Sequence, residues 1–211
     1  MLTIHHLGVS QSERIVWLCE ELGVPYALKL YVRDPVTRAA PAEYRAIHPA
    51  GTAPVITDDD LTLSESGAII EYIIAKYGEG RMARALGHPE FANYLFWLHY
   101  ANGSLMPAIM SDRMAAAARP AGAPIPAIPT RSERGLAMVE ARLGQTPYFA
   151  GDDLTAADVI MLFPLRPSRL FEPRDLTPYP NLRDWLQRIS ERPAYQRAMG
   201  LAEPGQPIAL V

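Results

Sequence analysis

The sequence predicts two unlike halves, an α/β half followed by an all-helical half. Residues 1–79 alternate short β-prone runs with apolar residues at helical spacing, whereas residues after 89 show helical spacing alone. The intervening residues 80–89 are polar and contain glycine, as linkers commonly do. We therefore expect one domain over residues 1–79, a linker over residues 80–89 and a second domain over residues 90–211.

The N-terminal half begins with a strand, a helix and a second strand. Residues 3–7 are β-prone, residues 15–22 carry an apolar face at helical spacing up to Gly23, and residues 26–31 alternate like a strand. Strand, helix and strand at this spacing predict a βαβ unit with parallel strands.

The next segment predicts a hairpin and a helix. Residues 54–57 and 61–63 are β-prone and flank three aspartates, which we interpret as a solvated turn rather than a cation site. A helix is predicted from Ser66 to about Gly78. The order βαβ then ββα, with a four-stranded mixed sheet, is a thioredoxin-like layout.

The second half is predicted to be a helical bundle. One long apolar face runs from Phe91 to Ile109, and the four prolines within residues 119–129 exclude a helix through that segment. Further helices are predicted around residues 136–143, 159–163 and 182–189.

Composition limits the classes of function. The chain has 211 residues and a net charge of −3, and no stretch approaches the roughly 20 uncharged apolar residues that span a bilayer. Its N-terminus has no signal-peptide pattern, so we expect a cytoplasmic protein without a membrane span. The sequence has no basic stripe of the kind that binds nucleic acid, so we expect no nucleic-acid partner. A single cysteine, Cys19, excludes an internal disulfide or CxxC pair, and no metal site is predicted.

Five segments, in order, resemble those of the cytosolic glutathione S-transferase family. They are residues 6–26, 47–55, 63–69, 154–158 and 192–195. The His48-Pro49 pair and residues 97–100 look closest to the fungal and bacterial branch typified by a yeast membrane-associated glutathione transferase. The resemblance implies that the first domain binds glutathione as co-substrate and that the second lines a pocket for a hydrophobic electrophile. It also implies a homodimer.

Ser10 and Ser12 are the candidate catalytic residues. A thiol has an unperturbed pKa of about 8.5, and a hydroxyl donor or a helix N-terminus favours its anion. Both serines lie where the first helix begins, and Ser10 is the first choice as donor to the sulfur. Either serine could instead only cap the helix. An ungapped match to serine-type transferases falls on Val9, which leaves a backbone N–H near Val9 as a further alternative.

The resemblance also implies a glutathione-binding loop. A cis Ala53–Pro54 bond would let the backbone of Ala53 pair with an extended peptide. The preceding residue often holds the glycyl carboxylate in the family, and here it is Thr52, with His48 or Arg14 as possible substitutes.

Glu65 and Ser66, at the start of a helix, are predicted to bind the γ-glutamyl end, because N–H groups there bind anions. Candidates for the electrophile pocket share only their places on predicted helices, and core packing explains each nearly as well. They are Tyr100, Ser104, Met110, Met114 and Phe163.

The predicted function is a glutathione transferase acting on hydrophobic electrophiles or peroxides. The alternatives are a glutathione-dependent disulfide reductase, which would have to use glutathione's own sulfur, and a non-catalytic interaction module of the same fold. Thr155 and Asp158 are interpreted as a capping box and Cys19 as a buried hydrophobic residue.

Overall fold

The computed structural model describes residues 1–120, 128–166 and 175–210. Its N-terminal part confirms the predicted thioredoxin-like fold: the strands order as β2-β1-β3-β4, with β1 parallel to β2 and antiparallel to β3. The elements are β1 (Leu2–Leu7), α1 (Glu13–Leu22), β2 (Ala27–Tyr31), α2 (Ala42–Arg45), β3 (Val55–Asp58), β4 (Leu61–Ser64) and α3 (Ser66–Lys76).

The second part is all-helical within the described residues, which confirms the other half of the predicted fold class. Its helices are α4 (Phe91–Tyr100), α5 (Met106–Ala117), α6 (Arg131–Leu143), α7 (Ala156–Leu165), α8 (Pro180–Ser190) and α9 (Pro193–Ala202). Much of the predicted proline-interrupted segment, residues 121–127, lies outside the described residues; α5 ends before it and α6 begins after it. None of the described helices is both long and apolar enough to cross a membrane.

The predicted single helix over residues 91–109 is two helices joined by a π-helical turn, Ala101–Leu105. Pro107 follows this turn within the first residues of α5. Proline has no N–H to donate four residues back, so the regular ladder cannot continue through it. A π-helical turn contains one extra residue, which rotates every later side chain by about 100° relative to an uninterrupted helix.

Helix α1 joins the two halves. Its Glu13 carboxylate accepts both hydrogen bonds from Arg166 Nη1 at 2.6 Å, and both groups are buried. At its other end Glu21 accepts bonds of 2.7 and 2.8 Å from Arg192. The same helix packs its Trp17 ring edge-on against Tyr195 of α9, with centroids 5.4 Å apart. The position of α1 is therefore fixed by both domains.

The first aspartate of the predicted solvated turn is buried instead. Asp58 accepts hydrogen bonds from Tyr72 Oη, Lys76 Nζ and Tyr77 Oη at 2.8, 2.7 and 2.6 Å. Burial alone would raise the pKa of Asp58, but these bonds outweigh it and hold the pKa well below its usual range. Only Asp59 and Asp60 are exposed, so the interpretation of all three as a solvated turn was wrong for Asp58.

The predicted capping box of α7 is present. Asp158 Oδ2 accepts the Thr155 N–H at 3.0 Å, and Oδ1 accepts the Phe149 N–H at 3.0 Å and Trp185 Nε1–H at 3.1 Å. The carboxyl is fully buried, and this burial raises its pKa to about 6. Cys19 is also buried, as predicted, and its pKa is raised to about 12.

Candidate functional site

Ser10 lies on the loop that leads from β1 into α1. Val9, just before it, has a φ of +53°, a left-handed conformation that is costly for a β-branched residue. The Ser10 side chain is 5% exposed. Its Oγ lies 2.7 Å from Ser12 Oγ and accepts the Ser12 N–H at 3.2 Å.

Ser12 occupies the N-cap position of α1 but its hydroxyl makes no capping bond to the described first turn. Instead Ser12 Oγ accepts the Leu7 N–H at 3.2 Å and lies 2.9 Å from His6 Nδ1. The alternative that Ser12 only caps the helix is therefore wrong. The Val9 N–H donates to Glu203 Oε1 at 2.6 Å, so this N–H is already engaged.

Two adjoining cavities form one cleft between the sheet domain and the helical domain. The Ser10 cavity has a volume of about 500 Å³ and includes Arg45 and Phe163, and the Glu65 cavity has about 410 Å³ and includes Pro54 and Ser66. Residues common to both linings are Gln11, Thr52, Ala53, Met106 and Met110. The predicted donor and the predicted peptide-binding residues thus border one continuous space.

The floor of the cleft is the loop before β3. The Ala53–Pro54 peptide bond is cis, and Ser64 Oγ donates to the Pro54 carbonyl at 3.1 Å. Ala53 and Thr52 both line the two cavities; Ala53 is half-buried and Thr52 is exposed.

Glu65 and Ser66 border the far end of the cleft. Glu65 has a φ of +83°, in a region that L-residues rarely adopt, and it immediately precedes α3. Strained residues of this kind concentrate at functional sites, where the surrounding structure holds them. The Glu65 side chain is exposed, while Ser66 is buried at the first position of α3, where backbone N–H groups are available to an anion.

Arg14 is buried behind this end of the cleft. Its Nη1 donates to Gln11 Oε1 at 2.7 Å, Asn102 Oδ1 at 3.0 Å and Ser66 Oγ at 3.3 Å. Its guanidinium lies over the Phe163 ring, 5.2 Å from the centroid. Burial lowers the Arg14 pKa to about 9. The negative charges of Glu13 and Glu65 act in the opposite direction but are outweighed. Arg14 therefore contacts Ser66, at the opposite end of the cleft from where a residue holding the glycyl carboxylate in place of Thr52 was expected.

The side chain near Thr52 that sequence reasoning missed is Arg45. It lines the Ser10 cavity from the last residue of α2, a four-residue helix too short to show periodicity. Arg33 borders the same cavity, and its Nε donates to the Gly8 carbonyl at 2.9 Å. His48 is absent from the described lining of either cavity, and its Nδ1 accepts the Ala50 N–H at 3.1 Å.

The predicted electrophile residues divide into two groups. Met110 and Phe163 line the Ser10 cavity, but Tyr100, Ser104 and Met114 are absent from the described lining of the cleft. Met114 is 70% exposed.

Tyr100 stacks on Phe96 at 5.1 Å and turns its hydroxyl toward Gly135 of α6. Met106, at the start of α5 and one helical turn before Met110, lines both cavities and was missing from the predicted set. The described residues contain no cluster of three or more His, Cys, Asp or Glu side chains suited to a metal.

Two family models match the chain. The model described as glutathione S-transferase, N-terminal domain, covers residues 10–76, and that described as glutathione S-transferase, C-terminal domain, covers residues 129–193. Glutathione S-transferase 3 of Schizosaccharomyces pombe is 34% identical, over 92% of this chain and 85% of the relative.

Solved structures agree with this match. A glutathione S-transferase from Actinobacillus pleuropneumoniae superimposes with a TM-score of 0.82 and 31% identity, covering 100% of this chain and 97% of that one. A theta class enzyme from Xanthomonas axonopodis pv. citri, solved with glutathione bound, has a TM-score of 0.68 and 26% identity, covering 93% and 96%. The fold, the paired domain matches and the fungal and bacterial relatives together identify this chain as a member of the glutathione S-transferase family of enzymes.

Proposed function

We propose that this chain binds glutathione in the cleft and activates its thiol at Ser10 for attack on small hydrophobic electrophiles or peroxides. One observation carries the proposal: Ser10 borders the same continuous cleft as Ala53 and Glu65. A tripeptide held along Ala53 would have its central residue, the cysteine, at the junction of the two cavities. A relative of similar fold was solved with glutathione bound.

The two ends of the cleft differ in charge in a way that fits the two ends of glutathione. At the Glu65 end, the Glu65 carboxylate can pair with the α-amino group of glutathione. The Ser66 hydroxyl and the backbone N–H groups at the start of α3 can donate hydrogen bonds to the γ-glutamyl carboxylate. At the Ser10 end, Arg45 and Thr52 are available to the glycyl carboxylate. His48, the earlier candidate for that group, is not needed in this arrangement.

The apolar side of the Ser10 cavity suits the second substrate. Met106, Met110 and Phe163 line the same cavity as Ser10. In the transfer reaction the sulfur lone pair forms a bond to the electrophilic carbon as the leaving group departs with its electron pair, and the thiol proton has already been lost. We further propose that the protein works in the cytoplasm as a homodimer.

Calorimetry with reduced glutathione tests the binding site. Replacing Glu65 by Gln keeps the shape of the side chain and removes the charge opposite the ammonium group. We expect about tenfold weaker binding, equivalent to about 1.4 kcal/mol. Glu71→Gln, an exposed change on the same helix, is the matched control. Unchanged affinity in the Glu65 variant would remove this residue from the site.

Turnover assays separate the three candidate activities. A chlorodinitrobenzene-type electrophile, an organic hydroperoxide and a glutathione mixed disulfide are compared with the same enzyme preparation. Turnover of the first two supports the proposal, and turnover of the mixed disulfide alone supports a reductase. Glutathione binding without any turnover would mean a non-catalytic module.

A further inference from the structure

A chain of buried polar side chains leads from Ser10 away from the cleft. Ser10 Oγ lies 2.7 Å from Ser12 Oγ, Ser12 Oγ lies 2.9 Å from His6 Nδ1, and His6 Nε2 lies 3.2 Å from Glu203 Oε1. The four residues are 5%, 0%, 1% and 7% exposed, in that order. We call these four side chains the relay.

Counting donors and acceptors gives these hydrogen bonds a consistent direction, with the closer His6 Nδ1 at 2.9 Å and not the Leu7 carbonyl at 3.4 Å as the acceptor for Ser12. A carboxylate only accepts, so a neutral His6 places its proton on Nε2 toward Glu203 and presents the Nδ1 lone pair to Ser12. Ser12 then donates its hydroxyl proton to His6 and accepts the N–H of Leu7. The hydroxyl of Ser10 donates to Ser12 Oγ and accepts the Ser12 N–H, which leaves one free lone pair on this residue that lines the Ser10 cavity.

We propose that the relay accepts the thiol proton of glutathione, with His6 as its final acceptor; this inference rests on the proposed function. The S–H proton passes to Ser10 Oγ, the Ser10 proton passes to Ser12 Oγ, and the Ser12 proton passes to His6 Nδ1. The products are a thiolate and an imidazolium paired with Glu203. The hydrogen bonds between Ser10 and Ser12 and between Ser12 and His6 are then reversed, His6 Nε2–H still donates to Glu203, and the Ser10 hydroxyl donates to the sulfur.

His6 and Glu203 act through the two serines and do not touch the sulfur, so they are positioning residues. Glu203 has two tasks. It sets the tautomer of His6, and it accepts the Val9 N–H at 2.6 Å, which holds the left-handed residue next to Ser10. Because Glu203 directly follows α9, the end of the helical domain acts on the loop that carries the donor.

The charges around His6 come from several elements. Arg33, Arg38 and Tyr31 border a cavity of about 250 Å³ together with His6 and Glu203, on the side away from the cleft. Of these groups, the Glu203 carboxylate contacts the ring directly, with Oε1 3.2 Å from His6 Nε2. The nearest acid at the start of α1, Glu13, is paired with Arg166.

The same cavity gives the proton a way out. Two further lining residues, Leu30 and Val32, are exposed, so the cavity reaches the surface. His6 can therefore return its proton to water once the thiolate has been consumed, without passage of the proton through the cleft.

The test counts protons in the wild-type enzyme at about pH 8, where an ordinary imidazole is neutral. Thiolate formed on binding is measured by its ultraviolet absorbance. Protons released to the buffer are measured by calorimetry in buffers of different ionisation enthalpy. The relay predicts that fewer than about half a proton is released for each thiolate formed, because His6 keeps it. Release of one proton per thiolate would overturn the relay while leaving the proposed function intact.

Variants provide a second measurement. His6→Asn keeps a polar atom toward Ser12 but cannot accept the proton, and Glu203→Gln keeps an acceptor for the Val9 N–H but removes the charge. Both should release about one proton per thiolate and raise the pKa of the bound thiol by about one unit, a tenfold loss of thiolate at lower pH. The controls are His99→Asn and Glu191→Gln, which make the same changes at exposed residues and should leave proton release unchanged.

The outcomes are distinct. A wild-type enzyme that binds no glutathione would refute the proposed function itself. Normal binding and thiolate formation, with proton release unaltered in both variants, would refute the relay alone. A purely structural role for His6 would lower affinity or stability without changing the number of protons released, and it would also refute the relay. The wild-type proton count remains decisive if either variant fails to fold.

Discussion

Replacing Ser10 by Ala removes its hydroxyl beside the cleft and, with it, the acceptor of the Ser12 N–H at 3.2 Å. Ser12 Oγ still has the Leu7 N–H at 3.2 Å and His6 Nδ1 at 2.9 Å, so the start of α1 should hold its position. A hydrogen bond to a charged group contributes about 1.5–3 kcal/mol. At about 1.4 kcal/mol per pKa unit, the pKa of the bound thiol should rise by about one to two units.

The effect on rate is much smaller than the effect on ionisation. Lowering a thiol pKa from about 8.5 by about two units raises the thiolate fraction at pH 7 about 25-fold. The nucleophilicity of the thiolate falls about tenfold over the same range, because the Brønsted coefficient is about 0.5. Ser10→Ala should therefore lose only about two- to threefold in rate near pH 7, and it should match or exceed the wild type above about pH 9.

The assay is the ultraviolet absorbance of the thiolate in the glutathione complex, titrated against pH beside the pH dependence of kcat/KM. Ser104→Ala is the matched control, since Ser104 lies on the π-helical turn and is absent from the described lining of the cleft. A shift with Ser12→Ala but none with Ser10→Ala would mean that the wrong serine has been assigned. No shift with either would refute side-chain activation of the thiol.

Two further predictions concern stability and assembly. Since burial raises the pKa of Asp158 from 3.8 to about 6, its ionised form is disfavoured in the folded state, and stability is lost as pH rises through that window. The free energy of unfolding of the wild type relative to Asp158→Asn should fall by about 2 kcal/mol between about pH 4 and pH 7, measured by urea unfolding; a difference independent of pH would contradict this. Light scattering should report a homodimer at micromolar concentration, and a monomer there would refute that proposal.

The parts of the fold that the sequence predicted are those with a repeating local pattern. The apolar face from Ile15 to Leu22 and the alternation of residues 26–31 each arise from contacts within one element. Two features had no such pattern. Helix α2 has four residues, fewer than two helical turns, and the π-helical turn differs from a regular helix by one inserted residue. Asp58 likewise looked like a turn residue because its partners, Tyr72, Lys76 and Tyr77, lie on or just after a later helix.

The same distinction applies to the site. Ser10, Ala53 and Glu65 each sit within a contiguous motif, so sequence reasoning could select them, and the structure brings all three to one cleft. Glu203 is 197 positions from His6, and their contact depends on α9 packing against α1. No spacing rule relates residues that far apart, so sequence reasoning could not pair His6 with Glu203.

Because thiol activation is expected to raise the rate only slightly, most of the rate enhancement should come from how the second substrate is bound. If ionisation contributes only about two- to threefold, the larger part of the rate must come from holding the electrophile close to the sulfur, where effective concentrations can be very high. Met106 and Met110 lie one helical turn apart on α5, and flexible thioethers adapt to varied apolar shapes. Their orientation depends on the π-helical turn, because restoring a regular helix would rotate both away from Ser10. Under the proposed function, the range of accepted electrophiles would depend chiefly on the π-helical turn and the first residues of α5, while the proposed relay would govern how readily the thiol ionises.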